Sequence, residues 1–169
     1  MFLLLLPFYF MNWGINMNKI IIGKYVNTHG IKGEIRIKSN FKYKDKVFKI
    51  GNKIIIDKTY EIMSYRVHKG YDMVTLKGIN SINDISFPKN IFVYIDRDEY
   101  LNDNEYLDDD LIGFNVCSKE KVYGLLKDIR YISETKKLLV VDNHLIPYEF
   151  IKNVLLTDKK IIIDDVEGL

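Results

Sequence analysis

Histidine, cysteine and carboxylate side chains are where catalytic chemistry would have to start, and in this chain they are scattered. His29, His68 and His144 are far apart in the sequence, and none has a second ligand two or four residues away that would make a metal-binding face. The lone Cys117, in "FNVCSK", has no base beside it and reads as a small apolar residue near a strand end. Asp108, Asp109 and Asp110 read as solvated charge between modules. "GIKG" (Gly30 to Gly33) has the glycines of a phosphate loop but not the strand–loop–helix context such a loop needs. No nucleophile stands with its base, and neither a metal nor a cofactor is implied. The chain reads as a binding protein and not as an enzyme.

Binding chemistry does concentrate in one place. "NTHGIKGEIRIK" (Asn27 to Lys38) sets His29, Gly30, Lys32 and Gly33 on a corner and follows them at once with an alternating strand. Glycine permits positive φ and close approach of a partner to the backbone. Lys24, Lys32, Arg36, Lys38, Lys42, Lys44, Lys46 and Lys49 fall within 26 residues of the sequence, with Tyr25, Phe41 and Tyr43 among them. Cations neutralise phosphates and aromatic rings stack on unpaired bases, so RNA is the partner this mixture fits. The same lysines also follow from a composition without alanine or glutamine and rich in isoleucine, lysine and asparagine, as an AT-rich genome would produce.

The elements that must hold this corner are strands. "KIIIGKYV" (Lys19 to Val26), "EIRIK" (Glu34 to Lys38), "NKIIID" (Asn52 to Asp57) and "NIFVYID" (Asn90 to Asp96) are β-type runs. "YEIMSYRVHKGYDMVTLKG" reads as a hairpin turning at Lys69-Gly70. A short helix is expected over Ser81 to Phe87, capped by Ser81 with Asp84 in the capping-box position and stopped by Pro88. Six short strands and one helix in this span imply a closed β-barrel, which leaves no exposed edge.

Beyond an acidic break at Arg97 to Asp110, "LIGFNVC", "KVYGLLKDIRYI", "KLLVV", "HLIPYEF" and "NVLLTDKKIIID" imply a second small, strongly bent barrel. Gly113 and Gly124 inside strand patterns mark bulges or bends. Charge divides with the modules. Residues 17–100 hold 16 Lys/Arg against 9 Asp/Glu, a net of +7, and residues 101–169 hold 9 against 14, a net of −5. An acidic module would be repelled by RNA and would attract a basic protein. The opening "MFLLLLPFYFMNWGIN" is too short for a membrane helix and lacks the basic start and cleavage site of a secretory signal. Residues 1–16 are read as a non-native leader from an upstream start, ahead of Met17.

"IGKYVNTHGIKGEIRIKSN" resembles the N-terminal signature of the RimM ribosome-maturation factors, matching at Gly23, Lys24, Thr28, His29, Gly30, Lys32, Gly33 and Glu34. "DLIGFNV", "GLLKDI", "LIPY" and the closing "EGL" resemble that family's C-terminal PRC-barrel domain. The resemblance implies a mainly β fold of two barrels in tandem, a six-stranded translation-factor-like barrel over 17–96 and a PRC-barrel over 108–169, joined by a linker at 97–107. It implies a cytoplasmic, monomeric, non-catalytic factor that binds the immature small ribosomal subunit and promotes its maturation and rRNA processing. The implied partners are ribosomal protein nineteen of the small subunit, in its head, and small-subunit rRNA, with no membrane. Lys24, Thr28, His29, Gly30, Lys32, Gly33 and Arg36 are the expected ribosome or RNA contacts. Tyr106, Leu107 and Asp110 are the expected ribosomal-protein contacts; the family often has a second tyrosine where Leu107 stands. The competing reading is an RNA- or tRNA-binding barrel that acts in translation directly.

Overall fold

The structure, a computed structural model, describes residues 18–133 and 135–165. The leader over 1–16, its junction at Met17 and the closing Glu167-Gly168-Leu169 lie outside the described residues. The chain forms two compact units, with the boundary between Leu101 and Asn102.

The first unit is a closed barrel in the order β1–β2–β5–β4–β3–β6. Its strands are β1 (Lys19–His29), β2 (Glu34–Lys38), β3 (Lys53–Ile55), β4 (Thr59–His68), β5 (Tyr71–Leu76) and β6 (Phe92–Asp96). Alternation decides what fills it. Ile35 and Ile37 of β2, Ile54, Ile62, Val93 and Ile95 are fully buried, while their sequence neighbours face out. Each such side chain contributes about 1.5–3 kcal/mol through burial. The β4–β5 hairpin turns at Lys69 and Gly70, both at positive φ (50° and 77°), as a two-residue loop requires.

β1 serves two neighbours. Residues 19–24 pair with β6 and residues 24–29 with β2, with a bulge in each pairing at Ile22 and at Val26. Alternation resumes after each bulge, so Ile21, Lys24, Asn27 and His29 pair with Tyr94, Phe92, Arg36 and Glu34 on the outside of the barrel. Gly23 turns inward, where a Cβ would come within 2.8 Å of both the Ile37 side chain and the Lys38 carbonyl.

The expected helix over Ser81 to Phe87 is a three-residue 3-10 turn, Ile82–Asp84. Its capping box is present, with the Ser81 hydroxyl accepting from Asn83 N–H and Asp84 accepting from Ser81 N–H at 2.8 Å. The turn stops early because Ile85 and Phe87 are drawn into the core. Two four-residue helices have no period long enough to read in sequence: α1 (Lys44–Val47) and α2 (Arg97–Tyr100). α1 is tied to the barrel by Lys44, whose Nζ lies 2.6 Å from the buried Asp72, which also accepts from the Tyr65 hydroxyl at 2.9 Å. Burial and the Asp72 charge push the Tyr65 phenol up to about 12. α2 lies inside the acidic break, and the Tyr100 hydroxyl accepts from the backbone of Lys53 at 2.7 Å.

The second unit is a six-stranded sheet in the order β10–β9–β8–β7–β12–β11. Its strands are β7 (Asn115–Cys117), β8 (Val122–Tyr131), β9 (Lys137–Val141), β10 (His144–Pro147), β11 (Ile151–Leu155) and β12 (Lys160–Ile163). The two edge strands are consecutive in the chain, joined by the 3-10 turn Tyr148–Phe150, so the sheet curls around one core of Leu111, Val116, Leu126, Leu139, Val141, Ile146 and Ile161. Gly124, at φ 126°, sits beside a bulge opposite Val116, and a Cβ there would collide with the Asp142 side chain. No helix among the described residues is long and apolar enough to cross a membrane.

Candidate functional site

The corner joins β1 to β2 through Gly30, Ile31, Lys32 and Gly33. Its two glycines are needed for different reasons. Gly30 is at φ 69° with open space where a Cβ would stand, so only the backbone conformation selects it. Gly33 is at φ 75°, and a Cβ would also lie 2.7 Å from Ile79 and 2.8 Å from the Ser81 carbonyl oxygen. The Ile82 N–H donates to the Ile31 carbonyl at 3.0 Å, which seats the corner on the 3-10 turn. Ile31, 81% exposed, and Lys32 are left pointing to solvent.

Below the corner the outer face carries an imidazole–guanidinium cluster. Arg36 Nη2 lies 2.7 Å from His29 Nδ1. A guanidinium can only donate, so Nδ1 accepts and the ring proton resides on Nε2. The His29 ring centroid is 5.8 Å from that of His68 on β4. Arg66 grips Glu34 with two bonds, Nε to Oε1 at 2.8 Å and Nη2 to Oε2 at 2.5 Å. Met73, paired with both Arg36 and Arg66, is completely covered. Arg36 Nε is buried and has no hydrogen-bond partner among the described residues. The Arg66 bond holds the Glu34 carboxyl below the usual carboxylate range, against the opposing effect of burial. Burial first, then the charges of Arg66, Lys69, His29 and Arg36, hold the His68 imidazole below its ordinary value.

Of the residues expected at this site, His29, Gly30, Lys32, Gly33 and Arg36 are together. Thr28 pairs with the core residue Ile35, on the inward register. Lys24 shares the outer face but stands further along β1, with its Nζ 5.8 Å from the centre of the Phe92 ring. Arg66 and His68 join the cluster from a strand distant in sequence. Their alternation in the hairpin was the one signal that could have placed them on the outer face.

In the second unit, Tyr106 and Leu107 are half-buried, and Tyr106 packs against the core. The Asp110 carboxylate accepts from Leu107 N–H at 2.7 Å and so starts the 3-10 turn Asp108–Leu111. Asp108, read in sequence as solvated charge, is instead the hub. Its Oδ2 accepts from Tyr131 and from Lys137 at 2.5 Å each, and its Oδ1 accepts from Tyr148 at 3.0 Å. Lys137 Nζ also lies 5.0 Å and 4.8 Å from the ring centres of Tyr131 and Tyr148. Burial alone would raise the Asp108 pKa, but the three donors outweigh it and hold the carboxyl below its usual range. Among the described residues no group of three or more His, Cys, Asp or Glu could hold a metal ion.

A family model described as the RimM N-terminal domain matches residues 20–100. Ribosome maturation factor RimM of Staphylococcus aureus strain MRSA252 is 38% identical over 170 residues, covering 89% of this chain and 98% of that protein. Its counterpart in strain JH9 is 37% identical with the same coverage. A crystal structure named for a 16S ribosomal RNA processing protein, RimM of Pseudomonas aeruginosa, aligns with a TM-score of 0.43 at 19% identity, covering 89% of this chain and 99% of that one.

Proposed function

The chain belongs to the RimM ribosome maturation factor family, and on that premise we propose that it binds the immature small ribosomal subunit and promotes its maturation and rRNA processing. The family is one of non-enzymatic assembly factors. The observation that carries the reading is the alignment along 98% of a ribosome maturation factor at 38% identity, which spans both units.

In this reading the two units are separate modules, one over 17–96 and the other over 108–169, with 97–107 between them. The basic barrel faces small-subunit rRNA through Lys24, His29, Gly30, Lys32 and Arg36, while the inward Thr28 and the buried Gly33 hold the corner in shape. The rigid seating of the corner and the cations below it support this, because preformed cationic surfaces bind phosphates at low ordering cost. The acidic module contacts ribosomal protein nineteen through Tyr106, Leu107 and Asp110, supported by its net −5 charge. The protein acts in the cytoplasm as a monomer.

Co-sedimentation from gently lysed cells tests the reading. The tagged protein should travel with immature small subunits and be depleted from mature ribosomes. Equal partition onto mature ribosomes, or recovery with tRNA, would favour a direct role in translation.

A further inference from the structure

The outer face of β6, β1 and β2 carries a feature that the corner does not explain. Phe92 and Tyr94 project outward from β6, two residues apart, with ring centroids 6.5 Å apart at an interplanar angle of 68°. Phe92 is 46% exposed, and Ile21, paired with Tyr94, is 51% exposed. Phe92 therefore faces solvent from a closed barrel, with the half-buried Tyr94 ring beside it on the same face. In register with Phe92 across the sheet come Lys24 of β1 and then Lys38 of β2. Adjacent strands are about 4.8 Å apart, so Lys38 stands roughly 10 Å from the Phe92 backbone. Arg36 follows Lys38 outward-facing on β2, and its Nη2 reaches His29, so the row leads into the cluster below the corner.

An exposed ring, a half-buried ring beside it and cations in register match the chemistry of single-stranded RNA, whose bases stack while the phosphates run alongside. A purely apolar protein partner would not select the lysine row, and a duplex would present no unstacked base to the rings. We propose that Phe92 and Tyr94 form a stacking platform for unpaired bases of RNA, with Lys24 and Lys38 taking the adjoining phosphates. This rests on the reading that the basic barrel faces rRNA, and it adds that the RNA segment is single-stranded and read by stacking.

The test is the affinity of the full chain for a fluorescent uridine 12-mer. It compares wild type, Phe92→Ala/Tyr94→Ala, Phe92→Leu/Tyr94→Leu and Lys24→Gln/Lys38→Gln, with melting curves to confirm folding. Each lost stack weakens binding severalfold or more, so both aromatic double variants should lose at least about tenfold in affinity with the salt slope unchanged. The lysine double variant should show a shallower salt slope. Unchanged affinity in the aromatic variants overturns the platform. So does loss in the alanine pair but not in the leucine pair, which would mean apolar contact without stacking. Wild type that ignores the 12-mer while co-sedimenting with immature small subunits sinks the platform alone. Wild type that binds the 12-mer but ignores those particles sinks the assembly-factor reading and leaves the platform standing.

Discussion

Arg36 Nη2 donates to His29 Nδ1 at 2.7 Å, so the arginine decides which nitrogen of the corner histidine faces outward as a donor. Replacing Arg36 with Gln removes a cation and releases the ring. Precursor binding should weaken, and the slope of log affinity against log salt should fall by roughly 0.7–0.9 for each phosphate no longer neutralised. Nitrogen-15 NMR of the His29 ring should show loss of the single tautomer. An unchanged slope would mean that Arg36 touches no phosphate.

The two corner glycines should separate cleanly in a stability measurement. Gly30→Ala incurs only the positive-φ penalty, about 1–2 kcal/mol. Gly33→Ala incurs that penalty and also forces Ile79 and the Ser81 carbonyl apart, so it should cost more, on the order of 3 kcal/mol. Urea unfolding of the two variants gives the ranking. Equal losses would show that the 3-10 turn yields easily.

Stability should depend on His68 in the weakly acidic range. Its folded pKa lies below the ordinary 6.5, so the unfolded chain takes up the proton first. The stabilising contribution is therefore complete above pH ~6.5 and is lost as pH falls toward the folded value. The charged and titratable groups around the ring are Arg36 and Glu34 on β2, Arg66 on β4, Lys69 in the turn and His29 on β1. Between pH 8 and pH 5 the melting temperature of wild type should fall relative to that of His68→Gln. A constant difference would refute the shift.

Asp108 should hold the second unit together at neutral pH and fail in acid. Asp108→Ala leaves Lys137 and two tyrosine hydroxyls without their acceptor, and hydrogen bonds to charged groups contribute about 1.5–3 kcal/mol. The folded pKa is depressed, so this contribution is present above the unfolded value of ~3.9 and fades as pH falls through the folded one. Urea titrations of wild type and variant at pH 7 and pH 3 should show the gap narrowing. A gap that persists at pH 3 would assign the effect to packing instead of charge.

Tyr106→Ala with Leu107→Ala should abolish binding to ribosomal protein nineteen, since losing an aromatic anchor costs ~2 kcal/mol or more. Tyr106 also packs on the core, so a modest drop in melting temperature should accompany it. Normal binding by the folded double variant would place the interface elsewhere in the module.

Local signals in the sequence identified the strands, the Lys69-Gly70 turn and the corner, because alternation and glycine act over a few residues. The hub at Asp108 was not legible, because its partners Lys137 and Tyr148 are 29 and 40 residues away and meet only when the sheet curls. His68 and Arg66 reach the corner for the same reason, through barrel closure. α1 and α2 are too short for helical periodicity, and α1 is held by an ion pair to a buried carboxylate that no local pattern announces.

The two bulges in β1 separate what the strand presents from how it bends. Without Ile22 and Val26, the residues Ile21, Lys24, Asn27 and His29 would still alternate outward, because each bulge restores the register it interrupts. What would disappear is the buried Ile22 side chain and the local coil that lets one strand turn from β6 to β2. A chain lacking both residues would carry the same outward chemistry on a ribbon too straight to close. A single outward substitution would thus leave the fold of this strand intact and change only what it presents, whereas a one-residue deletion threatens the whole barrel.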